Sequence, residues 1–242
     1  MKAVERWFSP RVDQDVNLVR WGKFGTPLLI FPTAGGDFEE IERFHLVGSL
    51  QPLIDEGRIK VYSVDSLNGR AFFTGADSRT VGKMMTAFDT VISNEVVPAI
   101  RADCQSPSIE VISAGASIGA FNALEVLCRH PDVFSAALCV SGSYDLTRWL
   151  EGPMTADFYI SSPIHYLPHL RDGDLLQKLR SRFVLFVHGL GRAEDPGESW
   201  RTASVLGQAG IPNRVDEWSE EWPHDWVSWR EMFPHYVDEL TR

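Results

Sequence analysis

The chain has 242 residues, of which 44% are hydrophobic, and a formal net charge of −10 at pH 7. This length and composition are enough to form one sizeable core, so we expect a single domain spanning residues 1–242. The excess of carboxylates and the lack of a basic cluster argue against a nucleic-acid partner, because such affinity comes largely from Lys and Arg side chains that neutralise phosphates.

The amino-terminal residues interleave charges with aromatic side chains and lack the long apolar stretch of a secretory signal. No uninterrupted apolar run approaches membrane-spanning length, so we expect no insertion into a membrane. The three cysteines, Cys104, Cys128 and Cys139, lack metal-type spacing, and an odd number of thiols fits a reduced cytoplasmic protein. The sequence leaves the formation of a homo-oligomer open.

Apolar, strand-like runs alternate with helical patterns along most of the chain. The predicted strands are 27–31, 59–64, 109–113, 136–140, 183–187 and 214–218. The predicted helices are near 38–56, 80–102, 118–128, 198–209 and 226–240. This alternation predicts an α/β fold, with a mostly parallel central sheet and helices on both of its faces.

Two segments depart from this alternation. Residues 5–20 are typical of an antiparallel strand pair at the edge of the sheet, with a turn around residues 13–15. Residues 143–179 are rich in Pro, Gly, aromatic and charged residues and predict an irregular, cap-like excursion. Such an excursion would cover the carboxyl ends of the strands, where ligands bind in open α/β sheets.

The segment Gly115-Ala116-Ser117-Ile118-Gly119 has the pattern G-x-S-x-G between a predicted strand and a predicted helix. This context predicts a sharp strand-to-helix turn that exposes the Ser117 hydroxyl above the sheet. The two glycines would remove side chains that otherwise collide at the turn. Ser117 is therefore the candidate nucleophile, and the alternative interpretation is an ordinary glycine-softened turn.

A serine hydroxyl needs a base within hydrogen-bond reach, and the base needs a carboxylate to orient it. Among the seven histidines we favour His224, because it lies on the loop between the last predicted strand and the last predicted helix. Glu194 and Asp195 follow the preceding strand as adjacent carboxylates, and only one of them can face the base. We favour Asp195 narrowly over Glu194.

Stabilising a developing oxyanion requires backbone N–H groups that are already aimed at it. The turn supplies one such group, from Ile118. The loop Thr33-Ala34-Gly35-Gly36 follows an early strand and can supply the second, from Ala34 or Gly35. The alternative is an ordinary loop that leads into a helix.

Together these motifs resemble the α/β-hydrolase superfamily, and within it the esterase group that includes esterase D-like S-formylglutathione hydrolases, feruloyl esterases and mycolyltransferases. The resemblance spans most of the chain. It also includes Asp65-Ser66 after the second core strand and Ser141-Gly142-Ser143 after the fourth. By resemblance, Ser117 is the nucleophile, Asp195 or Glu194 is the orienting acid and His224 is the base.

The resemblance implies a serine esterase that cleaves small-molecule carboxylic esters through an acyl-enzyme, without a metal or another cofactor. Candidate pocket residues are Thr33, Trp149, His188 and Trp222. Two other functions stay open, namely acyl transfer by the same residues and a non-catalytic hydrolase fold used for binding.

Overall fold

The computed structural model describes residues 1–72 and 74–242. Eight strands form one sheet with the spatial order β1-β2-β4-β3-β5-β6-β7-β8. The strands are β1 (Lys2–Ser9), β2 (Gln14–Trp21), β3 (Thr26–Phe31), β4 (Ile59–Val64), β5 (Val111–Ala116), β6 (Phe134–Val140), β7 (Phe183–His188) and β8 (Asn213–Glu217).

The six strands from β3 onwards pair in parallel, whereas β1 and β2 add to one edge in antiparallel fashion. Every residue of β4 and β5 is buried. Such burial is expected of central strands that are covered on both faces. The predicted α/β class is confirmed.

Helices pack against both faces of this sheet and form two large apolar clusters with it. The longer helices are α5 (Ser78–Val91), α6 (Val97–Asp103), α7 (Ile118–Arg129), α11 (Pro196–Gln208) and α12 (Trp226–Leu240). The shorter ones are α1 (Glu40–Arg43), α2 (Leu46–Ser49), α3 (Gln51–Asp55), α4 (Leu67–Ala71), α8 (Ala156–Ser161), α9 (Pro163–Tyr166) and α10 (Asp174–Leu179). No helix in the described part of the chain is long and apolar enough to cross a membrane.

Several predicted elements are displaced or divided. The predicted helix over 38–56 is instead α1, α2 and α3, and His45 between the first two has a positive φ of 63°, which interrupts a right-handed helix. The predicted helix over 80–102 is α5 and α6 joined by a π-helical turn, Ile92–Val96. The strand before Ser117 begins and ends later than predicted, at Val111–Ala116.

The two irregular segments also have defined structures. The edge hairpin turns at residues 10–13, earlier than the predicted 13–15. Between β6 and β7 lie α8, α9, α10 and two short 3-10 turns, of which the first is Leu146–Trp149. This first turn is placed beside the carboxyl end of the sheet and contributes to the site described next.

Candidate active site

Ser117 joins β5 to α7 with a strained backbone, at φ 57° and ψ −123°. A Cβ atom on Gly119 would lie 2.4 Å from the carbonyl oxygen of Phe31, and one on Gly115 would lie 2.2 Å from the carbonyl carbon of Gly119. Both positions therefore require glycine, because the colliding atoms belong to the backbone. A positive φ at a serine is a sparsely populated conformation that persists only where the surroundings enforce it.

The Ser117 turn opens on a cavity of ≈ 270 Å³ at the carboxyl end of the sheet. Its lining comes from four loops and from the first turn of α7: Ala34, Ser117, Ile118, Ser141, Gly142, Ser143, Arg148, Trp149, Ala193, Asp195 and His224. The candidate nucleophile and the candidate base therefore share one cavity.

Two of the predicted backbone donors line the same cavity. Ile118 is the first residue of α7, and its N–H group has no acceptor within the helix. The N–H group of Ala34 forms no backbone hydrogen bond within the described residues. Gly35, the alternative donor, is not among the residues that line the cavity in the described part of the chain.

A buried carboxylate holds the loop that carries Ala34. The Glu40 side chain accepts hydrogen bonds from the Thr33 backbone N–H at 2.7 Å and from the Thr33 hydroxyl at 2.8 Å. Burial raises the pKa of Glu40, and the two hydrogen bonds from Thr33 oppose this shift. Glu40 is not among the candidates from the sequence, because an acidic residue near the start of a predicted helix is usually exposed to solvent.

The Nδ1 atom of His224 lies 3.6 Å from Oε2 of Glu194, whose side chain is only 2% exposed. The other oxygen of Glu194 accepts hydrogen bonds from the Ser141 hydroxyl at 2.6 Å and from the Gly189 N–H at 3.4 Å. The carboxylate is thus fixed with one oxygen directed at the imidazole. A proton on Nδ1 would leave Nε2 free to act as a base.

Backbone hydrogen bonds join the loop that carries Glu194 to the loop that carries His224. The Gly191 N–H donates to the carbonyl oxygen of Trp222 at 3.1 Å, and the His224 N–H donates to the carbonyl oxygen of Arg192 at 3.0 Å. A Cβ atom on Gly191 would lie 2.7 Å from that same Trp222 oxygen. The glycine therefore lets the two loops meet.

Ser141 and Trp229 extend the contacts of Glu194. Ser141 directly follows β6, has a positive φ of 46° and accepts a hydrogen bond of 3.0 Å from the indole N–H of Trp229. The Trp229 ring, which is 4% exposed, also makes an edge-to-face contact with the His224 ring at 5.2 Å between centroids. The sequence gives no sign of this contact between Trp229 and His224.

Asp195, which sequence analysis narrowly favoured as the acid, does not face His224 in this structure. Its side chain is 52% exposed and lies 3.8 Å from the Arg148 guanidinium. Adjacent loop residues point in different directions, and here the buried one is Glu194. The geometry therefore supports Glu194 and not Asp195 beside the candidate base.

Only one of the four candidate pocket residues lines the cavity in the described part of the chain, and this is Trp149. His188 is 1% exposed at the end of β7, where its Nε2 atom lies 3.1 Å from a Glu217 carboxylate oxygen. Trp222 packs edge-to-face on Trp218. Thr33 is directed at Glu40 instead. Thr33, His188 and Trp222 are therefore not among the described residues that line the cavity, and their part in substrate binding stays a prediction.

No group of three or more His, Cys, Asp or Glu residues is placed to hold a metal ion in the described part of the chain. The expectation that the reaction needs no cofactor stays a prediction.

Comparison with known families identifies the chain. The model of the Putative esterase family matches residues 74–240. The chain belongs to this esterase family. The family supports an ester-hydrolysing enzyme, and the fold and site geometry described above fit that activity. Among curated proteins, none matches the sequence of this esterase at a significant level.

Solved structures of the same fold cover the whole esterase. A ferulic acid esterase has a TM-score of 0.77 at 17% identity, covering 100% of this chain and 98% of that one. An S-formylglutathione hydrolase from Agrobacterium tumefaciens has a TM-score of 0.71 at 11% identity, with coverages of 100% and 96%. FphF, a fluorophosphonate-binding serine hydrolase of Staphylococcus aureus, has a TM-score of 0.69 at 14% identity, with coverages of 100% and 98%.

Proposed function

We propose that this esterase is a serine carboxylic ester hydrolase that acts through an acyl-enzyme. Ser117 is the nucleophile, His224 is the general base and Glu194 is the orienting acid. The observation that carries the proposal is the strained Ser117 turn, which opens on the same cavity as an imidazole whose Nδ1 atom lies 3.6 Å from a buried carboxylate oxygen.

In the proposed first half-reaction, Nε2 of His224 takes the Ser117 proton as the hydroxyl oxygen attacks the ester carbonyl carbon. The Glu194 carboxylate stabilises the resulting imidazolium and keeps its ring in position. His224 then donates the proton to the leaving alcohol, and the acyl group stays on Ser117. In the second half-reaction water attacks this ester, and the same proton transfers release the carboxylic acid.

The tetrahedral intermediates of both half-reactions carry a negative oxygen. We assign its stabilisation to the N–H groups of Ala34 and Ile118. Both residues line the cavity, and within the described residues neither N–H group has a backbone hydrogen-bond acceptor. Removing one such donor in comparable enzymes costs about 2.7–4 kcal/mol of transition-state stabilisation. The Glu40–Thr33 contacts would keep Ala34 in place for this role.

The proposal is tested by intact-mass spectrometry after incubation with a fluorophosphonate, using wild type and Ser117→Ala in parallel. We expect one adduct on wild type and none on the variant. A probe of this kind is suitable because one structural neighbour is a fluorophosphonate-binding serine hydrolase. A folded wild-type protein that gains no mass would contradict an activated Ser117.

The assignment of the acid is tested by comparing Glu194→Gln with Asp195→Asn, which are isosteric changes at adjacent positions. We expect kcat to fall roughly 10³- to 10⁴-fold for Glu194→Gln, as when the acid of a Ser-His-Asp triad is neutralised. The loss for Asp195→Asn should be at least an order of magnitude smaller by the same reasoning. The reverse order of the two losses would restore Asp195 as the acid.

A further inference from the structure

Among the described residues that line the cavity, Arg148 is a cationic side chain that the proposed ester chemistry does not use. It lies on the 3-10 turn Leu146–Trp149, directly after β6 and its Ser141-Gly142-Ser143 loop. Its guanidinium carbon stacks over the Trp149 ring, 4.2 Å from the ring centroid. Stacking occupies the flat face of the guanidinium and leaves its in-plane N–H groups available to a ligand.

The backbone that carries Arg148 is firmly anchored. The carboxylate of Glu198, which is 3% exposed, accepts hydrogen bonds from the N–H groups of Tyr144 at 2.6 Å and Asp145 at 2.9 Å. The side chain of Leu146 is completely buried. A binding group on such a support is held in place before the substrate arrives.

The donors of Arg148 are largely unused. Its one ionic neighbour among the described residues is Asp195, at 3.8 Å, which is too long for a hydrogen bond. Asp195 is also the residue before α11, where the positive end of the helix dipole partly compensates its negative charge. Both side chains are about half exposed, so a competing carboxylate can reach the guanidinium.

We propose that Arg148 is a specificity residue that binds a carboxylate on the substrate, so that this esterase prefers esters bearing a negative charge. The planar guanidinium fork matches a carboxylate through two parallel hydrogen bonds. The cavity of ≈ 270 Å³ is at the small end for ligand sites and suits a short substrate. This inference rests on the proposed function of Ser117 and His224, which share the cavity.

The carboxylate can belong to the acyl part or to the alcohol part of the ester, and two substrate pairs distinguish these sources. The acyl pair is the mono-para-nitrophenyl ester of glutaric acid and the neutral para-nitrophenyl hexanoate. The alcohol pair is para-acetoxybenzoate and the neutral para-acetoxybenzamide. For each pair, kcat/KM of the charged ester is divided by kcat/KM of the neutral ester. This ratio is then divided by the ratio, again charged over neutral, of the rates at which hydroxide hydrolyses the same two esters.

We expect this normalised ratio to exceed one for one pair in wild type and to fall by roughly tenfold or more in Arg148→Gln, mainly through KM. Arg148→Lys should keep part of the preference, because it keeps the charge and loses the fork. Asp195→Asn, the matched change of the neighbouring charge, should raise the ratio. High salt should lower the wild-type ratio more than the Arg148→Gln ratio.

Three results would overturn the proposal in different ways. Equal normalised ratios for wild type and Arg148→Gln in both pairs, with hydrolysis intact, would contradict the role of Arg148 alone. A wild-type ratio that does not respond to salt would do the same without any variant, and so does not depend on how Arg148→Gln folds. Failure of wild type to hydrolyse any of the four esters or to react with a fluorophosphonate would contradict the proposed function as well.

Discussion

The indole N–H of Trp229 donates a hydrogen bond of 3.0 Å to the Ser141 hydroxyl. Because this interaction directs the hydroxyl proton of Ser141 away from the indole, the serine donates its own hydrogen bond to Glu194, at 2.6 Å. The side chain that faces His224 is therefore held by Ser141, which directly follows β6, and Ser141 is in turn held by Trp229 on α12. From these two hydrogen bonds we infer that Ser141 positions the Glu194 carboxylate. This role can be tested separately from any contribution of Ser141 to the stability of the fold.

We expect Ser141→Ala to lower kcat by roughly 10- to 100-fold with a much smaller change in KM, because a hydrogen bond to a charged group contributes about 1.5–3 kcal/mol. Ser141→Gly removes the hydroxyl and also relieves the positive φ of 46°, so it should lose similar activity while being at least as stable as Ser141→Ala. The control is Ser63→Ala, a buried serine on β4. Full activity in both Ser141 variants would refute the positioning role.

A second prediction concerns Glu40, which holds Thr33 through both carboxylate oxygens. Glu40→Leu keeps the bulk but leaves the Thr33 N–H unpaired, so the Ala34 loop should lose its fixed position. We expect kcat to fall by about tenfold or more, consistent with a weakened oxyanion donor. Glu40→Gln keeps one acceptor oxygen and should retain most of the activity. Steady-state kinetics with a short acyl ester measures both, and equal kinetics for the Leu variant and wild type would count against this role.

A third prediction concerns the space at Gly119. Its Cβ would lie 2.4 Å from the carbonyl oxygen of Phe31 and 2.8 Å from that of Pro32, and backbone of the strand that leads to Ala34 would have to move. Gly119→Ala should therefore destabilise the fold by about 1–3 kcal/mol and lower activity in the protein that remains folded. The control is Gly48→Ala on α2, where a Cβ meets nothing within 4 Å. That change should be neutral or stabilise by up to about 1 kcal/mol, as measured by urea unfolding.

A fourth prediction concerns the pH dependence of stability. Glu125 on α7 is fully buried, and neither carboxylate oxygen has a hydrogen-bond partner within the described residues. Burial, followed by the nearby Asp89 charge, raises the pKa of Glu125 well above its ordinary value. The folded state therefore holds this proton more tightly than the unfolded state does, and the contribution of Glu125 to stability falls as pH rises above about 4.3, its unfolded pKa, towards the raised folded pKa.

Glu125→Gln mimics the protonated form of the side chain and removes its contribution to the pH dependence of stability. Its Tm relative to wild type should rise as pH increases from about 5 to about 8, since each unit of pKa shift corresponds to about 1.4 kcal/mol. The exposed Glu56→Gln is the control and should show no such trend. A Tm difference for Glu125→Gln that does not change with pH would contradict the prediction.

The sequence was most informative where one local pattern decides the structure. Helix α12, Trp226–Leu240, and strand β4, Ile59–Val64, have the predicted bounds, because an apolar stripe identifies the helix and a run rich in β-branched and aromatic residues identifies the strand. The short helices around His45 could not be foreseen, since a positive φ at a histidine is enforced by packing and not by composition.

In the site, the sequence predicted which loops meet but not how their side chains are directed. Ser117, Ile118, Ala34 and His224 were candidates by position along the chain, and all four line one cavity. The choice between Glu194 and Asp195 depends on contacts of the Glu194 carboxylate with Ser141, which follows β6, and with Gly189, at the start of the loop that carries Glu194. The contact with Ser141 joins residues distant in sequence and leaves no local signal.

The order of the strands also determines when the site can exist. Ser117, Ser141, Glu194 and His224 follow β5, β6, β7 and β8, which are adjacent in the sheet. The outermost of these, β8, is only partly buried and pairs with a single neighbour. Opening of that edge alone would carry His224 away while the nucleophile turn stayed intact, because edge elements open at lower free energy than the core. The proposed site is thus complete only while β8 stays paired with β7.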